Sequence, residues 1–294
     1  MGGHYAVILV IKTNIMKPLT QIARISYGVM MGALAIQQIA YASFRPVIMP
    51  PISFPGIAVC VYVISAAIFI TSMAIAADKN ARTLSLILGA FFLLLFFACH
   101  VPYEFIKDQY YNQLGSWTSA GKDLVFAGGG FVVAGSYPAS ASKPTALVLF
   151  LEKFIPWGSV LFCITMITFG IDHFLYTTGV ANLVPNWIPW HVFWTDFAGA
   201  ALMLSGITII LKIQLKLSAL LLSLMIFLWL LMLHIPRAVA DPYSLQGNEV
   251  SSVFEAFGFS GVAYLIAYGY HTRRSFTLSA EPDLRETYAS ASPK

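Results

Sequence analysis

Ile36-Gln37-Gln38-Ile39-Ala40-Tyr41 returns in the second half of the chain as Ile171-Asp172-His173-Phe174-Leu175-Tyr176. Further along, Cys99-His100-Val101-Pro102 returns as Leu233-His234-Ile235-Pro236, and Asp123 ahead of Gly128-Gly129 returns as Glu255 ahead of Ser260-Gly261. Three landmarks in one order, at nearly one spacing, read as a duplicated unit of about 130 residues. The repeated residues are polar and lie in or beside very apolar stretches, where a polar group needs a physical reason.

The chain is 58% hydrophobic and only 10% charged, against ~25% charged residues in ordinary soluble domains. So few charges cannot cover so much apolar surface in water, and a bilayer removes the need, so the sequence predicts a polytopic membrane protein with the lipid bilayer as its partner. The net charge of +4 then bears on orientation in the membrane, and no nucleic-acid partner is expected. Cys60, Cys99 and Cys163 sit in apolar segments without a Cys-x-x-Cys pair and read as free buried thiols. The sequence shows no phosphate-binding glycine loop, Gly-x-Ser-x-Gly elbow or His-Glu-x-x-His stretch, so ATP-driven transport by this chain alone has no support.

The predicted fold is all-α, with eight transmembrane helices arranged as two tandem four-helix bundles. The spans fall at 21–43, 55–77, 82–102, 120–137, 152–176, 190–211, 215–235 and 251–270, each close to the ~20 residues a crossing helix needs. Residues 16–138 and 152–270 form the two repeats, 1–15 an N-terminal extension and 271–294 a polar cytoplasmic tail. Gly128-Gly129-Gly130 interrupts the fourth span, where small residues let helix backbones approach closely. Of the 17 Lys and Arg, 13 fall on the side of the termini and of the connections after spans two, four and six. The positive-inside rule therefore places both termini in the cytoplasm of a bacterial-type cytoplasmic (inner) membrane. Gln38, His100, Asp123, His173, His234 and Glu255 then lie near the outer face. The proline-rich connections 45–51 and 183–189 read as stiff turns at the interface.

In the second half, Phe169-Gly-Ile-Asp-His173-Phe precedes Gly179-Val-Ala-Asn-Leu-Val-Pro-Asn-Trp-Ile-Pro189. A helix with Gly199 and Gly206 follows, and His234-Ile-Pro236 closes the next one. This pattern resembles the DoxX family of four-helix membrane proteins. The first half resembles it through His100-Val-Pro102, Trp117 and Lys122-Asp123-Leu124 leading into Gly128-Gly129-Gly130. The resemblance covers about residues 20–270 and implies a helical bundle associated with redox chemistry. It implies a membrane subunit or quinone-side partner of a redox system, with a redox enzyme as partner. Most members carry one four-helix unit, and this chain carries two.

Asp172 and His173 near the end of span five, His191 opening span six, His234 ending span seven and Glu255 opening span eight fall in one outer layer. Three readings of that layer stand beside each other. Imidazole and carboxylate ligands from separate helices suit a zinc or iron ion, without forming a spacing motif. A quinone ring needs hydrogen-bonding partners and a group that exchanges protons, which histidine supplies, and Trp187, Trp190, Trp194 and Tyr176 are candidate walls of a slot for it. The bland reading makes the histidines structural, bonded to carbonyls that Pro102 and Pro236 leave unpaired. A haem is the least favoured, since no Cys-x-x-Cys-His exists. Asp172 is expected to orient His173. Asp123 and Glu255 read as acids that complement helix N-termini, and Arg237 as a contact for an anion or a lipid phosphate. His100 and Gln38 are the first-half counterparts of His234 and His173. Competing functions are a small-molecule transporter or channel and a non-catalytic membrane assembly protein.

Overall fold

The computed structural model describes residues 2–139 and 144–280, with side chains described from residue 17 to residue 269. Residues 140–143, in the connection between the halves, and most of the expected polar tail, 281–294, lie outside the described residues. The described chain is helical and contains no strand. Its principal helices are α1 (Gly2–Tyr41), α2 (Ile57–Ala76), α3 (Ala81–Leu95), α4 (Thr118–Gly135), α5 (Gly158–Leu175), α6 (His191–Ile210), α7 (Leu215–Trp229) and α8 (Asn248–Ala280). The backbone of α1 is helical from Gly2 onward and passes Pro18 without a break.

Among the described residues, seven segments are long and apolar enough to cross a membrane: Lys17–Tyr41, Ile57–Ala76, Ala81–Ile106, Ala146–Leu175, His191–Ile210, Leu215–Ala240 and Ser244–Gly269. Their outer faces carry side chains such as Val59, Ile70, Leu94 and Leu204, each more than 60% exposed. So many exposed branched aliphatics belong against acyl chains rather than water. The expected fourth span is a regular helix, α4. Lys122, Asp123 and five glycines dilute its apolar character, and it is absent from the seven. It is buried continuously from Val125 to Ala134.

The helices pack in a pattern that is unchanged when the halves are exchanged. α1 lies along α2 as α5 lies along α6, and α3 along α4 as α7 along α8. Between the halves, α4 lies along α5 and α8 along α1, while α4 and α8 meet at the centre. The halves therefore interlock rather than standing as two closed bundles, and small residues make this possible. A β-carbon on Gly128 of α4 would lie 2.6 Å from the Gly158 carbonyl oxygen of α5. A β-carbon on Gly261 of α8 would lie 2.9 Å from the Ala23 carbonyl oxygen of α1 and collide with Ser26.

The correspondence extends to backbone detail. Gly56 and Trp190, each preceding a helix, are left-handed, as are Asp78 and Lys212, and Asn80 and Gln214. All three pairs have the same separation along the chain. Both α3 and α7 end in a π-turn, Phe96–His100 and Leu230–His234, ahead of Pro102 and Pro236. Proline has no N–H and its ring crowds the preceding turn, and widening that turn to π geometry relieves the clash. Each π-turn ends on the histidine singled out by the sequence.

At the end opposite these histidines, Arg82 ties α4 to the second half. Its Nη1 donates to the Ala134 and Tyr137 carbonyl oxygens at 2.9 Å, and its Nε donates to Glu152 Oε1 at 3.0 Å. Gly128→Ala is expected to cost about 1–3 kcal/mol of stability, because the obstructing atoms are backbone. Gly179→Ala, in open space, should cost nothing measurable. Thermal unfolding in detergent, followed by tryptophan fluorescence, checks the pair.

Candidate functional site: a cavity in the second half

The α4–α8 seam separates two chambers. One is bounded by α8 and α1–α4, the other by α4–α8. Along the seam Lys122 Nζ lies 2.6 Å from Glu255 Oε2, and the Phe126 and Phe259 ring centroids are 6.1 Å apart. A β-carbon on Gly129 would lie 3.1 Å from Val262 Cγ2. These three pairs share one sequence offset, so residues that touch across the seam are also equivalents. This corrects the sequence alignment of Asp123 with Glu255. The equivalent of Glu255 is Lys122, and the equivalent of Asp123 is Ala256.

That shift of one residue gives the chambers different contents. In the first, His100 Nε2 stands 3.3 Å from Asp123 Oδ2, out of line for a hydrogen bond, and both side chains are sealed from solvent. Gln38 Nε2 donates to Ser65 Oγ at 3.0 Å, and Gln38 Oε1 accepts from the Arg45 N–H at 3.3 Å. Phe92 and Phe126 lie 5.2 Å apart, and Ile48 folds in from the connecting loop with no exposed surface. The chamber is sealed from solvent.

The second chamber holds a cavity of about 390 Å³. Ile226 and Ala256 line it where the first chamber has Phe92 and Asp123. Its apolar walls include Met166, Phe169, Trp194, Leu202, Trp229 and Phe259. Its polar lining includes Thr118, Lys122, Asp172, His173, His234 and Glu255. Four residues named by the sequence, Asp172, His173, His234 and Glu255, are thus brought together.

His191, Trp187 and Arg237 do not line this cavity. His191 shares a shallow surface hollow with Trp190, Val192 and Phe193, and Trp187 is 64% exposed. Arg237 is committed to Glu249, with nitrogen–oxygen distances of 2.8 and 2.6 Å, instead of waiting for an anion. His100 and Gln38 belong to the closed chamber. Tyr176 accepts from the Gly115 N–H at 3.2 Å and lies outside the cavity wall.

Three expected roles change. The Phe169 carbonyl, not Asp172, orients His173, accepting from Nδ1 at 2.7 Å. Asp172 Oδ2 accepts from Thr118 Oγ1 at 3.4 Å across the α4–α5 contact. The first half repeats this arrangement, with Ser251 Oγ donating to Gln37 Oε1 at 2.6 Å. Asp123 and Glu255 lie well inside α4 and α8 rather than at their N-termini. His100 is buried beside the Ile48 backbone of the connecting loop, and not on a carbonyl freed by Pro102.

Sequence reasoning missed Lys122 as the partner of Glu255, and Trp229 as part of the wall. The pairing at the seam's offset was recoverable from Phe126 with Phe259 and Gly128 with Gly261. Arg45 adds to the field at the seam. Burial pushes its guanidinium below the usual range, and the Glu255 carboxylate and the Tyr41 hydroxyl push it back up.

Among the described residues, no three His, Cys, Asp or Glu side chains are clustered closely enough to hold a metal ion. No protein-family model, curated protein or solved structure matches the chain.

The Lys122–Glu255 pair is 16% and 5% exposed. Removing one partner strands the other in an apolar seam, so Lys122→Met or Glu255→Leu is expected to cost about 3–5 kcal/mol, and the double replacement should recover most of it. A double-mutant cycle on denaturant unfolding in detergent measures the coupling.

Proposed function

We propose that this protein is a DoxX-like membrane subunit, or quinone-side partner, of a redox system, and that its second chamber binds the ring of a quinone–quinol pair. In this reading all eight principal helices span the cytoplasmic (inner) membrane as two tandem copies of a four-helix unit. Both termini are cytoplasmic and the cavity opens toward the outer face. The single observation that carries the reading is an apolar, tryptophan-walled cavity whose polar lining includes two histidines, two carboxylates and a lysine. Its volume of about 390 Å³ suits a ring with part of its tail, since small-molecule sites run from about 300 Å³ upward.

The residues fit such a ring on two counts. Trp194, Trp229 and Phe169 offer flat faces to it. Asp172 Oδ1, Thr195 Oγ1 and Glu255 Oε1 are buried without hydrogen-bond partners, which a polar ring would supply after small side-chain adjustments. A bound quinone–quinol pair would contribute the capacity to carry electrons. His173 and His234 would present ring nitrogens to it as hydrogen-bonding partners.

A second reading, transport of a small molecule, rests on one chamber being closed and the other open, as two states of one unit would be. The test is calorimetric titration of the detergent-purified protein with a decyl-tailed benzoquinone and its quinol. We expect saturable binding of at least one ring form, weakened about tenfold or more in His173→Ala and His234→Ala proteins that keep their thermal unfolding profile. Absence of binding by both forms, or equal binding in the variants, would overturn the assignment.

A further inference from the structure

Apart from the hydroxyls of Thr118, Thr195 and Ser252, the polar lining of the cavity is rich in acceptors. His173 donates its Nδ1 proton to the Phe169 carbonyl, 2.7 Å away. A carbonyl can only accept, so Nδ1 carries a proton, and in the neutral imidazole Nε2 is left as a lone-pair acceptor. Asp172 has one oxygen engaged by Thr118, while the other, Oδ1, is buried without a partner. Glu255 repeats this state, with Oε2 held by Lys122 and Oε1 unpartnered on a side chain 5% exposed. The ammonium of Lys122, the obvious donor, is directed at Glu255, 2.6 Å away.

A quinone offers this group only carbonyl oxygens. Placed beside Asp172 Oδ1 and Glu255 Oε1 they would leave both acceptors unmet and set lone pairs against lone pairs. A hydroquinone of the same shape carries two O–H donors that complete such acceptors. We propose that the cavity is built for a ring bearing hydroxyl donors, and that it binds the hydroquinone in preference to the quinone. Asp172 and His173 are its acceptors on α5, and Glu255 is the acceptor on α8. The selectivity concerns binding alone and requires no electron transfer by this chain. It rests on the ring-binding reading of the cavity.

The experiment compares three ligands of nearly one shape under argon, by calorimetric titration of the purified full chain: the decyl-tailed benzoquinone, its hydroquinone and the hydroquinone dimethyl ether. The hydroquinone is expected to bind about tenfold or more tightly than either of the others, the penalty for an unmet buried acceptor being of that order. Asp172→Asn, which adds an N–H₂ donor where only acceptors stood, should narrow the preference or reverse it toward the quinone. A purely structural Asp172 would lower both affinities together and leave their ratio unchanged. Equal or tighter binding of the quinone, or an unchanged ratio in the Asn variant, overturns the inference while leaving ring binding intact. Failure of all three ligands to bind instead removes the ring-binding reading beneath it.

Discussion

α4 and α8 meet at the centre of the molecule, and both chambers are walled by this pair. An apolar contact between Phe126 and Phe259, a near-backbone contact at Gly129, and one ion pair, Lys122–Glu255, hold the centre together. Glycine is demanded here by proximity rather than by backbone angle. α4 must reach α5 through Gly128, and α8 must reach α1 through Gly261. In lipid no hydrophobic force drives helices together, so such packing and the few interhelical polar contacts supply the association. The glycines that weaken α4 as an apolar span are the same ones that let it serve as the buried axis.

Because the two halves meet about this seam, every polar group near it acts in two settings. Glu255 pairs with Lys122, borders the open cavity and lies in the field of Arg45 from the closed chamber. One equivalent position is an aspartate facing His100 in the first chamber and an alanine lining the cavity in the second. A second is phenylalanine in one half and isoleucine in the other. Added volume closes the first chamber, and its absence leaves room in the second. The halves therefore differ in which chamber has space.

Much of this was legible in the sequence. Charge scarcity and long apolar runs predicted membrane helices, and the repeat predicted which segments would be equivalent. The repeated His-x-Pro element marked the two π-turns without announcing their geometry. Other features were beyond sequence reasoning for identifiable reasons. One residue of offset turns a helix by about 100°, so matching Asp123 to Glu255 by charge pointed the wrong face at the seam. The partner of Glu255 was hidden because Lys122 lies in the other half of the chain and is opposite in sign. Gly128 and Gly261 signalled close packing but not which helix they would meet, so the interlocking of the halves could not be read. The difference between a filled and an open chamber was out of reach because it depends on several side-chain volumes together.

In the proposed function the second chamber, and not the first, receives a ligand ring. Photolabelling of the purified protein with an azido-substituted decyl benzoquinone and hydroquinone, followed by peptide mapping, tests this directly. Label is expected on segments carrying Phe169, His173, Trp194, Trp229 and His234, suppressed by excess unlabelled ligand. Label concentrated on the α3 segment with Phe92 and His100, or spread over lipid-facing residues such as Ile70 and Leu204, would contradict it.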